Sequence, residues 1–106
     1  MLHGWTGDNG DPDNFLDVLL GCDSVGRSNR AHWCYEPFNE IIKKARVLPN
    51  LEERNELYVL AQKLFNEQSP WIPIAHGVVH RLIRKEVKGF EIDPFGGSLF
   101  YGVRLD

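Results

Sequence analysis

The chain has 106 residues, of which 42% are hydrophobic and 25% charged, with a formal net charge of −3. These values are ordinary for a globular protein that buries a small core. The negative balance argues against a nucleic-acid partner, since phosphate binding needs a clustered basic surface. No apolar run approaches the roughly 20 residues that a membrane-spanning helix needs.

Three amphipathic helices are predicted in the first part of the chain. The first begins at Asp11-Pro12, because aspartate can cap a helix and proline suits its first turn, and it ends at Gly21. The third begins at Asn50, where Glu53 completes a capping-box pattern. The apolar residues that recur at helical spacing are predicted to be the core: Phe15, Val18 and Leu19 in the first helix; Phe38, Ile41, Ile42 and Ala45 in the second; Leu57, Leu60, Ala61, Leu64 and Phe65 in the third.

Short extended segments follow the helices. Pro70 and Pro73 flank an extended dipeptide that cannot be helical. Strands are predicted at residues 78–79, 82–83, 89–92 and 100–105, with a Pro94–Gly97 turn before the last one. So few strands cannot cover three helices. The segment is therefore predicted to need strands from a longer chain or a neighbouring copy, and to self-associate when isolated.

The most distinctive stretch runs from Gly4 to Phe15 and reads Gly-Trp-Thr-Gly-Asp-Asn-Gly-Asp-Pro-Asp-Asn-Phe. Its glycines allow a ligand to approach the backbone, and a carboxylate after a turn can meet a cation. Asp8 is the sharpest candidate, and its alternative role is that of a turn residue. A small hydrolase using Asp8, Asp11 and a histidine is a rival hypothesis, with Asp8 and Asp11 as a glycosidase-like acid and base.

No metal or cofactor is predicted. The acidic residues after Gly10 do not match the ligand spacing of a calcium loop, and helix capping explains them better. Cys22 and Cys34 are compatible with a disulfide, or with a zinc site that would add His32 but lacks a fourth ligand. His76 and His80 lie in an extended segment, where that interval is too long for easy chelation.

The stretch after Gly4 resembles the ligand-contacting segment of extracellular solute-binding protein family 5, the oligopeptide-, dipeptide-, nickel- and heme-associated binding proteins of bacterial ABC importers. The resemblance continues through the two cysteines, Leu64-Phe65, the Pro70–His76 segment and Gly89–Ile92. It implies an α/β fold, the C-terminal part of a bilobal periplasmic binding protein. In that fold residues 1–76 belong to the second ligand-binding lobe. Residues 77–106 cross the hinge and return to the first lobe.

The same resemblance implies particular residue roles. Asp8 would pair with the α-ammonium of a bound peptide, while Gly4, Trp5 and Thr6 would pair with its main chain. Cys22 and Cys34 would form a disulfide, which for a loop of this size stabilises a fold by roughly 3 kcal/mol. A disulfide also fits an oxidising compartment.

The function implied is that of a binding protein and not an enzyme. It would capture small dipeptide-like peptides in the periplasm and deliver them to an inner-membrane ABC permease. Heme and glutathione are alternative ligands within the family. The arginine that binds the peptide carboxylate, the export signal and any lipid-anchored cysteine would all lie upstream of this chain. A third hypothesis is an interaction module whose aromatic and basic C-terminal strands bind a partner.

Overall fold

The computed structural model describes residues 1–106 as two units, Met1–Pro73 and Ile74–Asp106. The first unit contains helices α1 (Asp13–Leu20), α2 (Glu36–Val47) and α3 (Leu51–Gln68), with a 3-10 turn at Cys22–Ser24. The second unit contains strands β1 (Val87–Lys88), β2 (Glu91–Ile92), β3 (Ser98–Leu99) and β4 (Arg104–Leu105). No helix combines the length and the apolar character that crossing a membrane requires.

Side-chain caps define where two of the helices begin. The Asn50 Oδ1 accepts hydrogen bonds from the backbone N–H groups of Glu52 and Glu53, at 2.9 and 3.1 Å, as predicted for the start of α3. At α1 the Asp11 Oδ1 accepts from the Asp13 N–H at 2.9 Å. Both contacts satisfy backbone donors that have no partner inside the helix.

The core of the first unit lies where α2 packs against α1 and α3. The stripe predicted on α2 is confirmed, since Phe38, Ile42 and Ala45 are buried. The side chains of the other two helices that complete the core are Leu16, Leu19, Leu20, Tyr58 and Ala61.

The predicted face of α1 was wrong in part. Leu16 and Leu20 are buried beside Leu19, whereas Phe15 is 42% exposed. The Phe15 ring instead packs against Gly7, where an added Cβ would lie 2.8 Å from a ring carbon. The loop before the helix therefore takes up one apolar side chain that helical periodicity alone assigns to the core. On α3, Leu60 was also predicted to be in the core but is 43% exposed.

Cys22 and Cys34 are joined in a disulfide, with their Cα atoms 4.7 Å apart, so the predicted pairing is confirmed. Hydrogen bonds close the same loop independently. The fully buried Asn29 donates from Nδ2 to the carbonyl oxygens of Gly21 and Trp33, at 3.1 and 2.7 Å. These two carbonyls belong to the residues immediately before the cysteines.

The second unit consists of two nested antiparallel pairs. β1 pairs with β4, and β2 pairs with β3 around a turn in which Asp93 Oδ1 accepts from the N–H groups of Phe95 and Gly97. The strands predicted at 78–79 and 82–83 do not form here. Those residues belong to no helix or strand, and they contact the segment around Gly96 through side chains: Arg81 donates to the Ser98 Oγ at 3.2 Å and to the Gly96 carbonyl oxygen at 3.4 Å.

The two hydrogen bonds that buried Asn29 donates across the disulfide loop, called here the Asn29 clamp, lead to a stability prediction. Replacing Asn29 with alanine removes two hydrogen bonds and leaves two loop carbonyls without their partner, which should lower the free energy of unfolding by about 2–4 kcal/mol. Urea denaturation monitored by tryptophan fluorescence measures the change. The control is Asn55→Ala at an exposed site on α3, which should change stability by less than about 0.5 kcal/mol. Equal effects of the two substitutions would contradict the clamp.

Candidate functional site

In the loop before α1, the side chain of Asn14 contacts both Trp5 and Asp8. Its Oδ1 accepts hydrogen bonds from the Trp5 indole Nε1 at 2.9 Å and from the Asp8 backbone N–H at 3.2 Å. Its Nδ2 donates to the Asp8 Oδ2 at 3.1 Å. Asn14 lies in the first turn of α1, so the helix fixes the position of the loop.

The Asp8 side chain is exposed, and only one of its carboxylate oxygens is occupied within the chain. Oδ2 accepts from Asn14, while no hydrogen bond reaches Oδ1 and no arginine or lysine pairs with the residue. A carboxylate that is oriented at one oxygen and open at the other can accept a hydrogen bond from an external cation.

The backbone of Gly4, Trp5 and Thr6 is exposed and lies outside any helix or strand. None of its N–H or C=O groups makes a backbone hydrogen bond within the chain. An extended segment with free main-chain donors and acceptors can pair with a peptide in the manner of an added strand.

Aromatic rings lie beside this segment. The His3 ring lies 6.5 Å from that of Trp5 and 5.8 Å, edge to face, from that of Trp71, measured between centroids. Trp71 in turn meets Phe65 of α3 edge to face at 6.5 Å. These contacts connect the start of the chain to the segment after α3 and leave Trp5 39% exposed.

The next carboxylate, Asp11, is bound inside the unit. Its Oδ2 pairs with the Arg54 Nη2 at 2.6 Å, and the same Nη2 donates to the Tyr58 hydroxyl at 3.0 Å. Burial disfavours the charged form of Asp11, but the hydrogen bonds from the Asp13 N–H and from Arg54 outweigh it and lower the pKa of Asp11. Burial raises the pKa of Tyr58. Asp11 therefore stays ionised as a structural anion.

Two further acidic residues of α1 bind one arginine of α2. The Arg46 Nε lies 3.3 Å from the Asp13 Oδ1, and its Nη1 lies 2.7 Å from the Asp17 Oδ2. Burial raises the pKa of Asp13 in spite of the attraction of Arg46. These ion pairs connect α1 to α2, so neither carboxylate offers an unpaired charge to a ligand.

No protein-family model matches the chain. Individual relatives do. The chain is 48% identical over 103 residues to the dipeptide-binding protein of Pseudomonas aeruginosa, covering 97% of this chain and 19% of that protein. It is 47% identical over 105 residues to heme-binding protein A of Haemophilus influenzae, covering 99% of this chain and 19% of that protein.

Solved structures show the same likeness. A dipeptide-binding protein from a Pseudoalteromonas species, in complex with Met-Leu, matches with a TM-score of 0.77 and 34% identity, covering 96% of this chain and 20% of that one. The ABC transporter-associated periplasmic binding protein DppA from Helicobacter pylori, in complex with the peptide STSA, matches with a TM-score of 0.63 and 29% identity, covering 65% and 14%.

By sequence and by structure, the chain matches the C-terminal part of the dipeptide- and heme-type binding proteins of solute-binding family 5. It spans about a fifth of the length of the curated relatives that it matches. The resemblance seen in the sequence is thus confirmed, as is the α/β class of the fold. The relatives are binding proteins of transporters.

The structure of this chain separates the acidic residues into two groups. Asp8 lies on the exposed loop with Gly4, Trp5 and Thr6, as the sequence motif suggests. Asp11, by contrast, has one oxygen paired with Arg54, the other bonded to the Asp13 N–H, and a lowered pKa, so it is a poor general base for the acid–base pair of the hydrolase hypothesis.

The histidines and cysteines form no open metal site in this chain. His32, His76 and His80 are exposed and belong to no cluster of metal-ligand side chains. Glu36 lies near Cys22 and Cys34, but their sulfur atoms are bonded to each other.

Asn14 and Arg54 were not predicted from the sequence. Asn14 lies in the first turn of α1, and no sequence pattern indicates that its amide turns back to the loop. Arg54 lies four residues before Tyr58 on α3, a spacing that places the two side chains on one helix face. Nothing in the sequence indicates that the partner of Arg54 lies 43 residues away.

The Asp11–Arg54 pair predicts a pH-dependent stability. Asp11→Asn should lower the free energy of unfolding by about 1–2 kcal/mol at neutral pH. Because the pKa of Asp11 is lower in the folded chain, its contribution is fully present above its unfolded pKa of about 3.9 and is lost as the pH falls through the folded value. Urea denaturation of both proteins between neutral and acidic pH measures this difference.

The control for this series is Asp23→Asn, which breaks an exposed pair with Lys43. That substitution should change stability by less than about 1 kcal/mol at any pH. A constant difference between wild type and Asp11→Asn down to the most acidic pH would contradict the linkage.

Proposed function

We propose that this chain is a ligand-binding part of the substrate-binding component of an ABC importer that captures small peptides. The observation that carries the proposal is the open carboxylate of Asp8 beside an unpaired backbone segment, in a chain that matches peptide-binding proteins at nearly half identity. Asp8 binds the α-ammonium of the peptide. Gly4, Trp5 and Thr6 pair with the peptide main chain.

The physical chemistry of a peptide terminus supports this assignment. An ammonium group taken out of water needs a charged acceptor, and the Asp8 Oδ1 supplies one with no competing cation from the chain. The unpaired N–H and C=O groups of Gly4 to Thr6 are suited to any peptide sequence, because main-chain pairing is independent of side chains. Such a site binds a class of ligands through what all its members share.

The proposed activity is capture and release without chemical change. Asp11, the next acidic residue after Asp8 along the chain, is paired with Arg54, so the loop offers a single acidic group without a cationic partner. Closure of two lobes about a hinge would then shift the population toward the liganded form. We infer a periplasmic location and an inner-membrane ABC permease as the partner, in agreement with the description of the Helicobacter pylori neighbour and with the disulfide.

We assign residues 1–76 to the second ligand-binding lobe and 77–106 to the hinge crossing and the return to the first lobe. The change from the first to the second unit after Pro73 supports this division. Several exposed apolar side chains lie on either side of this boundary, among them Ile72, Val78 and Leu82. The rest of a binding protein would cover them, and without it they favour self-association.

Heme is a second candidate ligand, because heme-binding protein A of Haemophilus influenzae is about as similar to this chain as the dipeptide-binding relatives are. Heme has no ammonium group, so it would not pair with the Asp8 carboxylate in the way that a peptide amino terminus does. Heme titration followed by Soret absorbance, with competition by Met-Leu and by glutathione, separates the three ligands.

The direct test places this chain in the matching fifth of the Pseudomonas aeruginosa dipeptide-binding protein, which supplies the remainder of the fold. Calorimetry then measures the affinity of this chimera, called here the exchange protein, for Met-Leu and for N-acetyl-Met-Leu. Asp8→Asn keeps the shape of the side chain and removes its charge. Loss of one partner of a desolvated ion pair costs about 2–5 kcal/mol, so affinity for Met-Leu should fall roughly 30-fold to several-thousand-fold.

The acetylated peptide should bind weakly to both proteins, because it has no ammonium group. Asp23→Asn, an exposed substitution outside the loop, is the control and should leave both affinities within about twofold. If the affinities for both peptides are the same in wild type and Asp8→Asn, Asp8 is a turn residue and the peptide hypothesis loses its central contact.

A further inference from the structure

We propose that Asn14 is the positioning residue for Asp8, and that it gives the site its selectivity for ligands with a free amino group. The inference rests on the proposed role of Asp8. Three hydrogen bonds from one amide reach two residues of the loop, at Trp5 Nε1, Asp8 N and Asp8 Oδ2. No other side chain makes a hydrogen bond to either residue.

The chemistry of the three partners admits one orientation of the amide. The Trp5 indole and the Asp8 backbone N–H are donors only, so both need the carbonyl oxygen of Asn14. The Asp8 carboxylate is an acceptor only, so it needs the amide nitrogen. A flipped amide would set two donors against its NH₂ group. The network therefore has a single satisfied arrangement, which fixes the rotation of the Asp8 side chain.

This arrangement divides the two oxygens of Asp8 between two tasks. Oδ2 is taken by Asn14, and Oδ1 remains open for the ligand. An ammonium group offers only donors, so it matches Oδ1 directly. A ligand carboxylate would meet an acceptor that cannot be turned away, because Asn14 and α1 hold it. An acetylated nitrogen would offer one uncharged N–H in place of the ammonium group. The same amide fixes the plane of Trp5 beside the open backbone.

Alternatives of similar size would not support the network. Aspartate supplies the acceptors for Trp5 and the Asp8 N–H but puts a second negative charge against the Asp8 Oδ2. Alanine supplies neither function. Both substitutions keep an ordinary first-turn residue of α1, so their effects report on the amide and not on the helix backbone.

Affinities measured in the exchange protein test the proposal. Asn14→Ala should weaken Met-Leu binding roughly tenfold or more, since the orienting hydrogen bonds of a charged group are lost. Binding of N-acetyl-Met-Leu should change by less than about twofold. In the Asp8→Asn background the Asn14→Ala effect on Met-Leu should shrink to about twofold, because the residue acts through Asp8. The matched control is Asn9→Ala in the same loop, whose side chain accepts only from the Asp11 N–H.

A second measurement uses the 106-residue chain itself. In a ¹⁵N-labelled sample the indole N–H resonance of Trp5, assigned with Trp5→Phe, should move to a solvent-exposed position in Asn14→Ala. It should stay close to its wild-type position in Asn14→Asp, which keeps the acceptor. The Trp33 and Trp71 resonances should not move in either variant, which also shows that the first unit remains folded.

The outcomes separate this proposal from the one before it. If Asp8→Asn does not weaken Met-Leu binding, the proposed function fails at its own contact. If Asp8→Asn weakens binding but Asn14→Ala does not, the positioning role of Asn14 is overturned while that of Asp8 stands. Equal losses for the free and acetylated peptides, fully additive losses in the double variant, or an unmoved Trp5 resonance would each overturn it as well.

Discussion

Burial of the apolar side of α1 is the constraint on which the candidate site depends. Leu16, Leu19 and Leu20 pack against α2 and α3, and this fixes both the position and the rotation of the helix. The first turn of α1 then projects Asn14 toward the loop, where one amide orients Asp8. The Asp8 carboxylate therefore has a defined orientation, although it lies in a glycine-rich segment, because α1 is rigid.

Charged residues in α1 and just before it reinforce this anchoring. Asp11 reaches Arg54 on α3, while Asp13 and Asp17 share Arg46 on α2. An acidic helix start is stabilised by the helix dipole, and here the same carboxylates also join neighbouring helices. The carboxylates of this short acidic stretch therefore have different roles. The carboxylates of Asp11, Asp13 and Asp17 are bound by arginines, whereas Asp8 has no cationic partner in the chain.

Periodicity predicted the three helices, and capping chemistry predicted the start of α3 at Asn50. The periodicity failed at Phe15. The ring of this residue packs against Gly7 in the loop before α1, a contact that helical spacing cannot predict. The strands expected near Val78 and Leu82 do not form, and this segment instead contacts residues 96–98 through the Arg81 side chain. At the site, the motif identified Asp8, but Asn14 and Arg54 act through partners 6 and 43 residues away, which only the folded structure reveals.

The central claim is that Asp8 receives the amino terminus of a peptide, and a crystal structure of the exchange protein with Met-Leu tests it most directly. We predict that the ligand ammonium nitrogen lies about 2.7–2.9 Å from an Asp8 carboxylate oxygen, the distance of a charge-assisted hydrogen bond. The peptide main chain should run alongside Gly4 to Thr6. A bound peptide whose ammonium pairs with another carboxylate, with Asp8 facing solvent, would contradict the account.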